Sequence, residues 1–559
     1  MARLPRMSPE GFWRALLFLG TAVTLVIYLV RAFQPLAIQD DARQFMLWMP
    51  RLRDPEAMRG DLLADYWQSV SPPVYRLPFE FFALFGVDPL IVGKLLPVLL
   101  IGVSAWAAWR IAMTLTGRPL AAFVAAAFVM ALVIHEDSVY TASPRAFSPP
   151  LFLLFVDALL RDRMKTMLGS IFLLASIYPT TALVALAMLG LSRIERVPRL
   201  RIDLSRRSIL LVGGGTLAIL VAIVPFPTQT SRWEPTLTIE QALTMPNLAT
   251  PGGRSSLVRE DGGIGWICSA RMGFVPEMVP CGRGIPFAEL TNILLLLPLL
   301  WLIGDALRRP VMPGGGRNPN ALYAWALLAA LFWYAVAVAF AFKLHLPSRY
   351  SQRVLSILEW LAIGQLIGLW LDRQVRERGL RAPAVAAGGA IALLVAVSFL
   401  TPTPGLRRPA DPGAMRHIAA APPDTLVAGV SEDLDFVPAL TGRAALATTE
   451  HAIPYHIGYY RHVDARLSDS LRAAATPDAD RMRTILRVHG PHLFAVDRSL
   501  LEEGAVPPRY ATIVAAASAE AEAMLAAGPS AMQRLAAVCA AYRGPSLILL
   551  DVKCLVGSD

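Results

Sequence analysis

The stretch Ala37-Ile38-Gln39-Asp40-Asp41-Ala42-Arg43-Gln44 opens a polar segment, 37–76, that comes directly after the first strongly apolar run of the chain. Two adjacent carboxylates a few residues beyond an apolar helix come to lie at a bilayer surface, where charge is costly unless it is solvated or used. The plainer reading is that Asp40 and Asp41 only cap a helix starting near Ala42, because Asp is a favoured N-cap and acids suit a first turn.

Composition sets the class around this stretch. The 559 residues are 55% hydrophobic and 17% charged, with a formal net charge of +10 and a mean hydropathy of +0.49, and the apolar residues lie in long runs. Such a chain is too apolar for a soluble domain and is expected to be a polytopic α-helical membrane protein. Its basic residues sit in short clusters between the runs, so the charge reports topology and no nucleic-acid partner is expected.

Going outward from the acidic pair, Arg3 and Arg6 precede a span at 12–30 that has no small-residue cleavage site. It reads as a retained signal anchor with a cytoplasmic N-terminus. Further spans are expected at 90–109, 120–134, 149–160, 209–225, 290–307, 321–342, 354–371 and 384–400. The run 167–191 is interrupted by Tyr178-Pro179-Thr180-Thr181 and divides into two short helices that dip in and return. The count is about eleven membrane helices, each near the length of a bilayer crossing. Arginine clusters between alternate spans, densest at 193–207, place those connections in the cytoplasm. The loops 33–78, 135–148, 226–287 and 343–352 then face outward, and the chain is expected in a plasma (inner) membrane.

From Thr401 the hydropathy falls. Residues 1–400 therefore form a transmembrane domain, and Thr401-Pro402-Thr403-Pro404-Gly405 leads into a soluble, extracytoplasmic (periplasmic) domain at 401–559. Short β-type runs at 425–430, 444–447, 493–496 and 547–552 alternate there with helical stretches such as 464–475 and 518–526, which predicts a small α/β domain. No glycine-rich phosphate loop comes after any of these runs. The chain has 4 cysteines, all on the outer side: Cys268 and Cys281 in a loop, Cys539 and Cys554 in the tail. An oxidising compartment permits two local disulfides, and neither spacing resembles a zinc site.

The outer loops gather the unusual polar groups: Asp40-Asp41, His135-Glu136-Asp137, Ser143-Pro144-Arg145, and His345 through Arg353. Carboxylates at one membrane face suit deprotonation of an acceptor hydroxyl or the holding of a divalent cation, Mg or Mn. Arginines beside them suit a phosphate held as a leaving group.

An acidic pair in a long first outer loop, Glu136-Asp137 in the second, a broken short-helix pair and a soluble outer tail together resemble the GT-C superfamily of integral membrane glycosyltransferases. That superfamily includes the protein mannosyltransferases, the aminoarabinose transferases and the oligosaccharyltransferases. The resemblance covers 1–225 and implies a polyprenyl-phosphate sugar donor, an extracytoplasmic lipid, glycan or protein acceptor, and a single inverting displacement of a hexosyl or pentosyl unit. It assigns the general base to Asp40 or Asp41, with Asp41 slightly favoured, and a second acidic site to Glu136 and Asp137. Arg349, Arg353, Arg145, His345 and Lys94 become candidates for the donor phosphate, and the four acids for any cation. The rival classes are a lipid or glycan transporter or flippase and a non-catalytic scaffold. Transport would call for polar groups at mid-membrane, yet the runs hold almost no carboxylates beyond Asp157 and Glu359. The catalytic reading requires that Asp41, Glu136 and Arg349 converge on one outer-leaflet cavity, a demand that a scaffold does not make.

Overall fold

The computed structural model describes residues 8–195, 201–224, 230–249, 255–259, 261–281, 285–311, 317–378, 385–391, 393–394 and 402–557. The chain enters through α1 (Pro9–Ala32), whose N-cap Ser8 accepts the Gly11 N–H. The polar loop after it holds β1 (Ile38–Gln39), α2 (Ala42–Phe45), α3 (Leu62–Val70) and α4 (Pro73–Ala83). Then come α5 (Pro89–Thr116), α6 (Pro119–His135), α7 (Ser148–Leu160), α8 (Met164–Ile177) and α9 (Pro179–Leu191). Beyond them lie α10 (Arg206–Ile223), α11 (Ala288–Leu295), α12 (Leu297–Arg308), α13 (Ala321–Ala339) and α14 (Ser348–Arg378).

Among the described residues, 6 helical segments are long and apolar enough to cross a membrane: α1, α5, α10, α11 with α12, α13 and α14. The chain is a multi-pass membrane protein. The sequence expectation of about eleven spans exceeds this number because α6, α8 and α9 are apolar but shorter, and α7, at the expected span 149–160, has only 13 residues. At a rise of about 1.5 Å per residue such helices fall short of a core roughly 30 Å thick. The last expected span, 384–400, lies largely outside the described residues, although 385–391 is helical. The break at Tyr178 is present as expected: Tyr178 leaves helical geometry with φ −143° and ψ 77°, and Pro179 starts the next helix.

One helix pair determines where the start of α14 lies. Gly364 and Gly368 on α14 bring its backbone against Ala125 and Ala121 of α6, and a Cβ on Gly368 would stand 2.6 Å from the Ala121 carbonyl oxygen. A small-xxx-small seam of this kind allows helices to pack at backbone distance without a hydrophobic driving force. The two helices run antiparallel, so the start of α14 meets the end of α6.

The tail builds a five-stranded sheet. β2 (Leu406–Arg407) first pairs antiparallel with β1, tying the tail to the acidic loop. The sheet then uses β3 (Leu426–Val430), β4 (Ala444–Ala445), β5 (Leu493–Asp497), β6 (Ala540–Arg543) and β7 (Leu547–Asp551), in the order β4-β3-β5-β7-β6. β3 is parallel to both β4 and β5, while β7 is antiparallel to β5 and β6. The helix α15 (Ile457–Ala475) packs on β3. The apolar runs of the sequence locate four of these strands; β6, half exposed in alternation, is not among them. Both disulfides form, Cys268–Cys281 and Cys539–Cys554, with Cα separations of 6.0 and 5.4 Å.

The aromatic residues of the first loop correct another expectation. Their composition suggests an interface belt of Tyr66, Trp67, Tyr75, Phe79, Phe81 and Phe82, but only Phe81 and Phe82 are exposed. The other four are buried, and Tyr66 stacks on Tyr459 of α15 with ring centroids 3.6 Å apart. Part of the surface that covers these rings is supplied by the tail domain, which the hydropathy of the loop alone does not reveal.

Candidate functional site

The acidic pair is not a helix cap. Asp41 occupies the N-cap position of α2, yet its side chain makes no capping bond. Its Oδ2 instead lies 2.6 Å from Arg145 Nε. Asp40 is anchored on its main chain, donating its N–H to the Gly405 carbonyl at 2.8 Å, and its carboxylate pairs with Arg43 and stands 3.9 Å from Arg407. Its side chain is 31% exposed against 20% for Asp41.

Arg145 is delivered by the 3₁₀ turn Pro144–Phe147 that leads into α7. Ser148 at the start of α7 shares a 2.8 Å hydrogen bond with Thr181, on the first turn of α9, so this turn is fastened to the helix break. The break carries Tyr178 to within electrostatic reach of Arg349 and Tyr350.

The start of α14 supplies Arg349 and Arg353. The α6–α14 seam sets Arg353 against Glu136, with which it forms an ion pair, and Arg353 also donates to Ser138 Oγ at 3.3 Å. Gln352 donates to the carbonyls of Ser269, Gly273 and Val275, and Ser348 Oγ donates to that of Ala270 at 2.9 Å. These bonds clamp the loop closed by Cys268–Cys281 onto α14 and bring in Arg271, which reading by sequence missed. Arg271 donates to the Tyr455 hydroxyl at 3.2 Å. Arg353, Arg145 and Arg271 all stand close enough to repel the charge of Arg349, whose Nε has no hydrogen-bond partner among the described residues.

Two ion pairs, Asp41–Arg145 and Glu136–Arg353, thus stand within electrostatic reach of Arg349. Two candidates need correction. Lys94 belongs to the α1–α5 contact: its ammonium lies 5.4 Å above the Phe33 ring and its carbonyl accepts from Tyr28. His345 does join the cluster, edge-on to Tyr455 at 5.2 Å, but it carries no charge there. Burial first, then Arg349, Arg271 and His456, hold its pKa down at about 3, so it is a neutral imidazole at physiological pH.

Asp40, Asp41 and Glu136 do not fit a shared cation. Each faces a different arginine, and no group of three or more His, Cys, Asp or Glu side chains that could hold a metal occurs among the described residues. The Asp137 side chain lies outside what is described. Of the carboxylates within spans, Asp157 is neutralised by Arg110 and Arg161 at 3.0 and 2.8 Å, and Glu359 is buried without a hydrogen-bond partner among the described residues.

No family model and no curated protein matches the sequence. Solved structures do resemble it. ArnT from Cupriavidus metallidurans bound to undecaprenyl phosphate aligns over 97% of this chain and 99% of its own, with a TM-score of 0.50 at 15% identity. The arabinofuranosyltransferase AftD from Mycobacteria aligns over 87% of this chain and 35% of its own, with a TM-score of 0.47 at 12% identity. The oligosaccharyltransferase AglB from Archaeoglobus fulgidus aligns over 88% and 70%, with a TM-score of 0.46 at 12% identity. At 15% identity over nearly the whole of both chains the likeness to ArnT is one of fold: the two chains share one architecture.

Proposed function

We propose that the chain transfers a sugar from a polyprenyl-phosphate donor to a hydroxyl group of an extracytoplasmic acceptor, with the tail domain on the outer side of the plasma membrane. The observation that carries this reading is the meeting of Arg145, Arg271 and Arg349 from distant segments beside the acidic pair. Like charges drawn together around an Arg349 Nε that has no hydrogen-bond partner among the described residues are relieved by an anion. The presence of undecaprenyl phosphate on ArnT, a protein of the same fold, supports a lipid phosphate as that anion.

The reaction is a single displacement. The acceptor oxygen bonds to the anomeric carbon as its proton passes to a carboxylate. The bond from that carbon to the phosphate oxygen breaks with its electron pair, and the guanidinium groups stabilise the departing polyprenyl phosphate. In an inverting displacement the attacking and leaving oxygens lie on opposite faces of the sugar, so the base and the phosphate ligands are separated by the ring. Asp41, in contact with Arg145, sits on the phosphate side and orients that guanidinium. This gives the base to Asp40, the more exposed acid, which is held on the other flank by Arg43. No step is routed through a metal, because Asp40, Asp41 and Glu136 each already have an arginine partner.

The test is mass spectrometry of envelope glycans and lipids from cells lacking the protein, carrying it, or carrying Asp40→Asn. A product that needs the protein and disappears with Asp40→Asn supports the reading. A product formed at full level by Asp40→Asn with Asp41→Asn combined removes it.

A further inference from the structure

Open sheets of parallel strands bind ligands beyond the strand carboxyl ends, at the point where the connections diverge to opposite sides. In the tail that point lies at β3, whose chain leaves toward β4 on one side and returns through α15 to β5 on the other. The residues after these strands are rich in acids: Asp435 after β3 and Glu450 after β4. A ligand-like group is already present at those acids, and it comes from the membrane domain. Arg43, on α2, lies 3.1 Å from Glu450 and 3.7 Å from Asp435, with its guanidinium carbon 4.7 Å from the Phe436 ring centroid. Side-chain exposure is 4% for Arg43, 1% for Asp435 and 4% for Glu450. Gln44 adds bonds to Glu450, and the Arg43 carbonyl stands 3.2 Å from His451 Nε2. The same guanidinium reaches back to pair with Asp40.

Docking two domains by apolar contact would avoid the desolvation of so many charges, and buried ion networks are poor sources of stability. Their best attested use is to fix geometry, and here the network ends on Asp40. We infer that the tail domain is a working part of the active site: Asp435 and Glu450, acting through Arg43, hold the Asp40 carboxylate where an acceptor hydroxyl can reach it. These are positioning residues, and the inference rests on the assignment of Asp40 as base. Arg509 offers an internal contrast. It lies 3.2 Å from Asp435 and 3.7 Å from Glu450, so it shares both acids, but the residues it pairs with do not include Asp40.

The test uses the full chain in membranes and in lipid nanodiscs, with Glu450→Gln, Arg43→Lys and Arg509→Gln compared at equal amounts of folded protein. Three readouts are needed: product formed in cells, binding of undecaprenyl phosphate, and amide hydrogen exchange at 40–46. Glu450→Gln should lower product about 10²-fold, the cost of roughly 1 Å of misplacement, with lipid-phosphate binding held within about twofold and faster exchange at 40–46. Arg43→Lys keeps the charge but not the fork, and should fall by at least about threefold even if Glu450→Gln does not fold. Arg509→Gln should keep product within about threefold, because it disturbs the acids without releasing Asp40. Full product from Glu450→Gln and Arg43→Lys, in cells where Asp40→Asn abolishes it, overturns the inference and leaves the base in place. Equal losses in all three variants make the network a plain domain latch and also overturn it. Full product from Asp40→Asn strikes instead at the assignment of the base.

Discussion

On the two sides of the acidic pair the chain gathers arginines and uses them differently. Around α2, Arg43 and Arg509 are met by Asp40, Asp435, Glu450 and Glu432, and Arg43 and its acids from the tail are sealed from solvent. At the start of α14, Arg349 has Arg145, Arg271 and Arg353 as neighbours, with its Nε left without a protein partner among the described residues. A guanidinium enclosed by carboxylates is already neutralised and can only hold position. One set among other guanidinium groups keeps its charge for a ligand. The two clusters touch through the acidic pair, Asp40 on the first and Asp41 on the second, which is where the proposed reaction would occur.

Replacing one atom on each side of that boundary gives the sharpest separation. Asp40→Asn is expected to lower transfer by about 10²–10⁴-fold, the usual contribution of a general base, while leaving the affinity for undecaprenyl phosphate within about twofold. Asp41→Asn should instead weaken the lipid phosphate, because Arg145 loses its orienting partner. Kinetics of the two single variants against the donor, with a binding measurement beside them, decide it. If both behave alike, the division between a holding cluster and a binding cluster does not run between these residues.

Arg349→Ala comes next in size. A charge-assisted hydrogen bond is worth about 1.5–3 kcal/mol, so the dissociation constant for undecaprenyl phosphate should rise roughly 10–10²-fold. Arg353→Ala should lose less donor affinity, because Arg353 is already bonded to Glu136. The comparison would fail if Arg353→Ala proved the more damaging of the two. His345 refines it further: with its pKa held at about 3, it stays neutral, and lipid-phosphate binding should show no step from this residue between about pH 5 and 8. A binding step near pH 6.5 that vanishes in His345→Gln would contradict the electrostatics of the cluster.

What the sequence disclosed tracks the range of each interaction. Hydropathy is local, so α1, α5 and the broken pair at Tyr178-Pro179 are readable, and so are the tail strands from β3 to β5. The disulfide Cys268–Cys281 closes a short loop and is readable for the same reason. Arg349 and Arg145 stand out as basic groups on outer loops, although nothing in a single chain pairs Arg145 with Asp41. Arg43 lies in the octapeptide that opens the loop and still gives no sign of Glu450, 407 residues away. Arg271 carries one usable signal, its place inside a loop tied by two cysteines. Lys94 misleads because a lysine near the end of a span looks the same whether it faces a phosphate or, as here, a phenylalanine ring.

The smallest expected effect concerns the acids that Arg43 does not reach. Asp497 ends β5, and burial, with Asp433 and Glu432 nearby, raises its pKa to about 6 in spite of a hydrogen bond with Ser431. An unfolded aspartate titrates near 3.9, so between about pH 4 and 6 the folded chain binds more protons than the unfolded one. Stability must then fall as pH rises through that window, and the full penalty persists above it. Asp497→Asn removes the penalty while making no change to a helix cap, since the Asp497 side chain gives none to the helix Arg498–Glu503 that it precedes. The melting temperature of the full chain should rise at pH 7 by roughly 2–4 °C per kcal/mol regained and change little at pH 4. If the gain is equal at both pH values, the cause is packing and not charge. A gain confined to neutral pH would show that compensation at the tail acids stops at the residues Arg43 and Arg509 touch, so that the arginine supply there is matched to holding the acidic loop rather than to neutralising the domain.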